Sequence, residues 1–183
     1  TGLLGNLLPA LLFASAIKEN GESSLASILN SLTPLFVIVI SVLFFKSKVQ
    51  SKKMAGVLVG FAGLVVLSLS KGRLIANDSG LLLILVATVF YGITVNLVSH
   101  YLKEIDGFKI ASVSLTIMAV PAAFILWQQH VFSLALYDEE VCWSIAIACL
   151  LGIVGSAIAT ALYYVLIQNA GGLFASLVTY AIP

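Results

Sequence analysis

The sequence predicts an all-α polytopic membrane protein, a helical bundle that forms part of a ten-helix inverted five-plus-five repeat. Three observations carry this. Of the 183 residues, 61% are apolar and 9% charged, against ~45–50% and ~25% in soluble domains, and the mean hydropathy is +1.13. The apolar residues gather into long runs separated by short polar stretches. The chain also matches itself when shifted by 150 residues.

The runs lie at residues 2–17, 24–45, 54–70, 80–101, 108–129 and 142–168, with a further one starting at residue 173. The first closes at Lys18 and Glu19, the second at Lys46, and the third lies between Lys53 and Lys71. The fourth opens after Asn77-Asp78-Ser79, formally a glycosylation sequon but better read as a helix cap before Gly80. The fifth lies between Gly107 and His130, and the sixth between the acidic Asp138, Glu139 and Glu140 and the pair Gly171-Gly172. A spanning helix needs ~20 residues, and nearly all of these runs are long enough. The stretches between them leave no room for a soluble domain. A bilayer core cannot hydrogen-bond an open backbone, so runs of this length must be helices; barrel strands would be ~10 residues with strict alternation.

Thr1 is not an initiator residue, no basic n-region or cleavage pattern precedes the first run, and Pro183 falls eleven residues into the last one. The sequence is therefore expected to be an internal piece of a longer protein. Net charge is +1, which gives no basic field for nucleic acid; membrane lipid is the expected partner. Lysines and arginines summed over alternate loops give orientation. One side carries Lys46, Lys48, Lys52, Lys53, Lys103 and Lys109, the other Lys18, Lys71 and Arg73, which places residues 46–53 in the cytoplasm. Cys142 and Cys149 are seven residues apart on one helix, ~10 Å along its axis and beyond disulfide reach, so both are expected to be packing thiols.

The 150-residue shift superposes Gly2, Gly5, Leu12, Ile17 and Gly21 on identical residues from Gly152 onward; after a one-residue gap Ala26, Ser27 and Pro34 fall on Ala175, Ser176 and Pro183. The second copy begins five runs after the first. Five is odd, so they cross the membrane in opposite directions, the inverted repeat of many secondary transporters, whose solute sites lie between the halves near the midplane.

SLASILNSLTPLFVIVISVLFF, followed by a basic loop and KKMAGVLVGFAGLVVLSLS, resembles the fourth and fifth helices of the EamA-type carriers of the drug/metabolite transporter superfamily. GGLFASLVTYAIP resembles the start of their ninth, so the chain is similar to helices three to nine. The Ala-Ser…Pro signature occurs twice, with Gly56, Gly60 and Gly63 behind the first. The family often has a glutamate just after the fourth helix, and Ser47 stands at that position. The resemblance implies ten helices, cytoplasmic termini and export or exchange of amino acids, metabolites or drugs. It divides the chain into residues 1–75, the end of a first repeat, and 76–183, the start of a second.

No Asp, Glu, Lys or Arg lies in the middle of any run, and buried ionisable groups are the usual sign of ion coupling. A facilitator or exchanger is expected. His100, beside Tyr101 and Lys103, reads as an interfacial anchor rather than a proton relay. The remaining polarity lies in stripes. Ser27, Asn30, Ser31, Pro34 and Ser41 share one face of the second run. Thr88, Gly92, Asn96 and Ser99 share one of the fourth, with Tyr91 at its edge, and Gly152, Ser156, Thr160 and Tyr163 one of the sixth. Small and hydroxyl residues are also how membrane helices pack, each interhelical hydrogen bond being worth ~0.6 kcal/mol. The solute-binding candidates are Asn6, Asn30, Ser31, Tyr91, Asn96, Ser156, Thr160, Tyr163 and Tyr180, with Pro34 and Pro183 shaping the walls. Pro34 frees a carbonyl within its run, which would face the cavity, whereas Gly56, Gly60 and Gly63 read as close-packing residues.

The expected function is a carrier for neutral or zwitterionic small-molecule solutes working by alternating access in the cell membrane, the inner membrane if the cell is bacterial. A tyrosine face would hold any cationic amine. No cofactor, metal or nucleic acid is expected, and the carrier would act as a monomer or homodimer. Enzyme motifs are absent from the sequence: it has no P-loop, dinucleotide fingerprint, His-Glu-x-x-His or Gly-x-Ser-x-Gly. The competing classes are a seven-helix receptor and a membrane-embedded lipid-modifying protein. A retinal protein would need a lysine in the last run, a receptor has no need of the repeat, and a lipid enzyme would need clustered acids or histidines.

Overall fold

The computed structural model describes residues 1–20, 23–47, 49–70, 78–128 and 139–181. Every regular element among them is helical. A π-helical turn, Leu3–Leu7, leads into α1 (Leu8–Asn20); α2 (Ser23–Asn30) and α3 (Thr33–Phe45) follow, then α4 (Ser51–Ser70), α5 (Asp78–Tyr101) and α6 (Gly107–Gln128). Next come α7 (Glu139–Leu151), a second π-helical turn (Gly152–Ile158), α8 (Ala159–Ala170), α9 (Gly172–Ser176) and a 3-10 turn (Leu177–Ala181). Asn77 and its neighbours in residues 71–77, His130 and Pro183 lie outside the described residues.

Among the described residues four stretches are long and apolar enough to cross a membrane: Ala26–Phe45, Gly80–Tyr101, Gly107–Gln128 and Glu140–Ala170. Leu3–Lys18 and Gly172–Ala181 are shorter apolar stretches. Large apolar side chains point outward along them, including Phe44, Val120, Trp127, Trp143, Leu150 and Leu151. Water-soluble monomers rarely expose continuous apolar surface of this kind, and lipid is the medium that suits it.

The centre is α5, which packs against α1, α2, α3, α8 and α9. Val95 and Val98 of α5 meet Val37 of α3, Ile110 and Ala111 of α6, Tyr164 and Ile167 of α8 and Ala175 of α9 in the main core. Ile84, near the other end of α5, joins Ala16 and Ala26 in a second core. The loop before α6 is held by side chains. Asp106 Oδ1 accepts from the Phe108 N–H at 2.8 Å, capping the helix start, and the Gln168 amide of α8 donates to the Leu102 and Ile105 carbonyls. Gly171, at φ 90°, ends α8 in a conformation that side chains resist.

Two runs that read as continuous are interrupted. Residues 24–45 break at Ser31 and Leu32, and Pro34 sits in the first turn of α3, where its missing N–H costs little. The carbonyl freed by Pro34, that of Asn30, does not face a cavity: the Thr33 hydroxyl donates to it at 2.6 Å. Residues 142–168 widen into the second π-turn. The first π-turn has a local cause, since Pro9 cannot donate to the Gly5 carbonyl four residues back and its ring would clash with that group. In the second, Ala159 stands at the matched position, so no proline forces the widening. Cys142 and Cys149 are free, and among the described residues both are exposed on α7.

Candidate functional site

A cavity of about 640 Å³ opens where both π-turns meet α5, α6 and α8. The first turn contributes Gly5 and Asn6, α5 contributes Tyr91, Thr94 and Val95, and α6 contributes Leu115 and Met118. Gly155 and Ser156 of the second turn face it with Thr160, Tyr163 and Tyr164 of α8, and Val178 and Thr179 also line it. Among the described residues its wall is mainly apolar and aromatic with a few hydroxyl and amide groups and no charged residue, the usual composition of a small-molecule site. The Tyr91 ring is steadied from behind by Phe13, with centroids 6.1 Å apart. Asn6 reaches toward the hydroxyl of Tyr164.

Five of the nine sequence-derived candidates therefore come together here: Asn6, Tyr91, Ser156, Thr160 and Tyr163. The structure places the other four elsewhere, each with partners inside the protein. Asn96 is buried and donates through Nδ2 to the carbonyls of Val37 (3.0 Å) and Gly92 (2.9 Å), joining α5 to α3. The Ser31 hydroxyl lies 3.0 Å from the Ser27 carbonyl and 3.2 Å from that of Thr179. Asn30 Oδ1 lies 3.3 Å from the Thr33 hydroxyl, and the Tyr180 hydroxyl donates to the Val57 carbonyl of α4 at 2.9 Å. Pro34 is fully buried and is not among the residues that line the cavity.

Thr94 and Tyr164 line the cavity and were not singled out from the sequence. Both had a signal. Thr94 stands one helical turn after Tyr91 on the same face, and Tyr164 is adjacent to Tyr163. Glycines set the approach of the walls. A Cβ on Gly5 would stand 2.6 Å from the Thr94 methyl, and one on Gly107 would stand 2.7 Å from the Val165 backbone nitrogen.

A second, smaller cavity of about 300 Å³ lies at the Lys46 end of α3, bounded by Asn96, Ser99 and His100, the residues around Lys53, and Gly171. His100 is held there on both ring nitrogens, Nε2 lying 2.9 Å from the Ser47 hydroxyl and Nδ1 3.0 Å from the Asn96 carbonyl. Its ring stacks on Phe45 at 4.3 Å. These contacts are those of an anchor. Among the described residues no group of three or more His, Cys, Asp or Glu side chains is placed to hold a metal.

The sequence model of the EamA-like transporter family matches residues 1–69 and 78–183. An uncharacterized transporter of Archaeoglobus fulgidus is 28% identical over 100 residues, which cover 55% of this chain. The matched region spans 35% of that relative's length. The family match extends over nearly the whole chain and takes in both π-turns and the cavity between them: the protein is a member of the EamA-like transporter family.

Proposed function

We propose that the protein carries small organic solutes, such as amino acids, metabolites or drugs, by alternating access, as an exporter or exchanger in the cell membrane. The single observation that supports this best is the uncharged, tyrosine-lined cavity of about 640 Å³ between segments that the 150-residue shift superposes. Residues 1–75 then belong to one half of a ten-helix inverted repeat and residues 76–183 to the other, and the halves rock around the cavity. A wall without fixed charge suits neutral or zwitterionic solutes, because a net-charged one would be desolvated there with nothing to balance it. The test is solute accumulation in cells with and without the full-length protein across a broad metabolite panel. The expected result is a changed level of a small set of related solutes; an unchanged profile would sink the carrier.

A further inference from the structure

We propose that Thr94 and Asn6 are a donor pair that takes one acceptor oxygen of the solute, a carboxyl or carbonyl oxygen, while the rest of the solute lies against the tyrosines. The proposal rests on the carrier reading above and goes beyond it by naming the group recognised and the atoms that recognise it.

Thr94 carries the inference. It is 4% exposed, lines the larger cavity, and its Oγ1 is buried with no hydrogen-bond partner. Threonine in a helix normally avoids this state by donating to the carbonyl three or four residues back. The same helix shows that habit twice: the Thr88 hydroxyl donates to the Leu85 carbonyl at 2.7 Å and the Ser99 hydroxyl to the Asn96 carbonyl at 3.2 Å. Thr94 alone of these three does not turn back on its own helix. The amide nitrogen of Asn6 is likewise buried without a formed hydrogen bond, with the Tyr164 hydroxyl as its polar neighbour. Buried donors left open destabilise a fold, and they persist where something else completes them.

Gly5 packs closely on Thr94: a Cβ there would stand 2.6 Å from the Thr94 methyl and 3.1 Å from its hydroxyl, so a side chain at that position would displace the threonine. Asn6 follows Gly5 in the π-turn and lines the same cavity as Thr94, and such widened turns occur frequently at functional sites. The shift that superposes Gly5 on Gly155 superposes Asn6 on Ser156, which lines the same cavity from the second π-turn. Both unpartnered atoms can donate, and among the described residues no cation lines the cavity, so the complement is an oxygen acceptor. A carboxylate arriving with its own ammonium group and a neutral carboxamide share that chemistry.

The test uses purified full-length protein in proteoliposomes and three matched sets of probes: amino acids, their carboxamides, and the amines left when the carboxyl carbon is removed. Counterflow is expected for acids or amides and not for the amines; the arm that moves tells carboxylate from carbonyl. Thr94→Val, equal in shape but without the hydroxyl, should lower counterflow below saturation by about tenfold, the loss of one hydrogen bond to a polar ligand. Thr94→Ser should restore most of it, and Asn6→Leu should lower the same arm. Because no internal bond is lost, Thr94→Val should also raise the melting midpoint in detergent by ~2 °C or more. Amines moving as fast as acids, full-rate counterflow by Thr94→Val, or a lowered midpoint would each overturn the pair and leave the carrier standing. Counterflow of no probe by the unaltered protein would instead overturn the carrier reading, and the pair with it.

Discussion

Replacing Gly107 by alanine should destabilise the protein by ~1–3 kcal/mol, the range for forcing an extra methyl into a packed site. The new carbon would stand 2.7 Å from the Val165 nitrogen and 3.0 Å from the Tyr164 carbonyl carbon. Those are backbone atoms and cannot swing aside, so α6 and α8 must separate. Thermal unfolding in detergent measures the loss. Gly60→Ala should cost less, because the atoms it meets belong to the Tyr180 ring, a side chain that can turn. At this scale the sequence shows cost but not partner. Asn96 is a polar residue in an apolar run, and its burial was predictable from that alone. Whether its amide meets a solute or the Val37 carbonyl depends on how α3 crosses α5, which no spacing along one helix encodes. Thr94 shows the converse. A threonine normally satisfies itself, so nothing in the one-dimensional pattern marks it as unpartnered; only the buried hydroxyl without a hydrogen bond does.

Helix α4 meets the rest of the described chain through α3 and the 3-10 turn Leu177–Ala181. Tyr180, which crosses from that turn to the Val57 carbonyl, is a polar tie between α4 and the rest of the described chain. Tyr180→Phe should remove ~0.5–1.5 kcal/mol, and hydrogen exchange of the α4 amides should quicken while that of α5 stays slow. Unchanged exchange in α4 would mean that packing alone holds it. The apolar runs and their polar ends were legible because charges and turn residues cannot stay in hydrocarbon. The interruptions inside the runs were less so. Pro34 is visible in the sequence, but the neighbour that satisfies its freed carbonyl is Thr33, and the helix is thereby divided where a kink open to the cavity was expected. The second π-turn contains Gly152 and Gly155 but no proline, and glycines in membrane helices more often mean close packing than a widened turn.

For the whole molecule, the lysine distribution predicts that residue 50 lies in the cytoplasm. A cysteine put in place of Gln50 should react with an impermeant maleimide only after the membrane is opened; reaction in intact cells would invert the topology. The class of molecule was legible from composition alone, because no soluble domain carries so little charge. The cavity was legible in part. Asn6 and Ser156 stand out because the repeat brings them to equivalent positions, and Tyr91 and Tyr163 because aromatic groups edge the polar stripes. Tyr180 shares the aromatic signal, yet its ring is spent on a neighbouring helix, and only the path of the chain after Gly171 decides that.

The lack of any charged side chain around the larger cavity has an electrical consequence. Moving one elementary charge through the bilayer costs or yields ~2.3 kcal/mol per 100 mV, and on the proposed alternating-access reading the described residues of this wall carry none to move. A zwitterion adds none either. Transport of such a solute should be electrically silent: its rate in proteoliposomes should hold constant while a potassium diffusion potential is stepped from zero to strongly negative, with no current accompanying it. A steep voltage dependence would mean that charge enters the cycle from outside these walls.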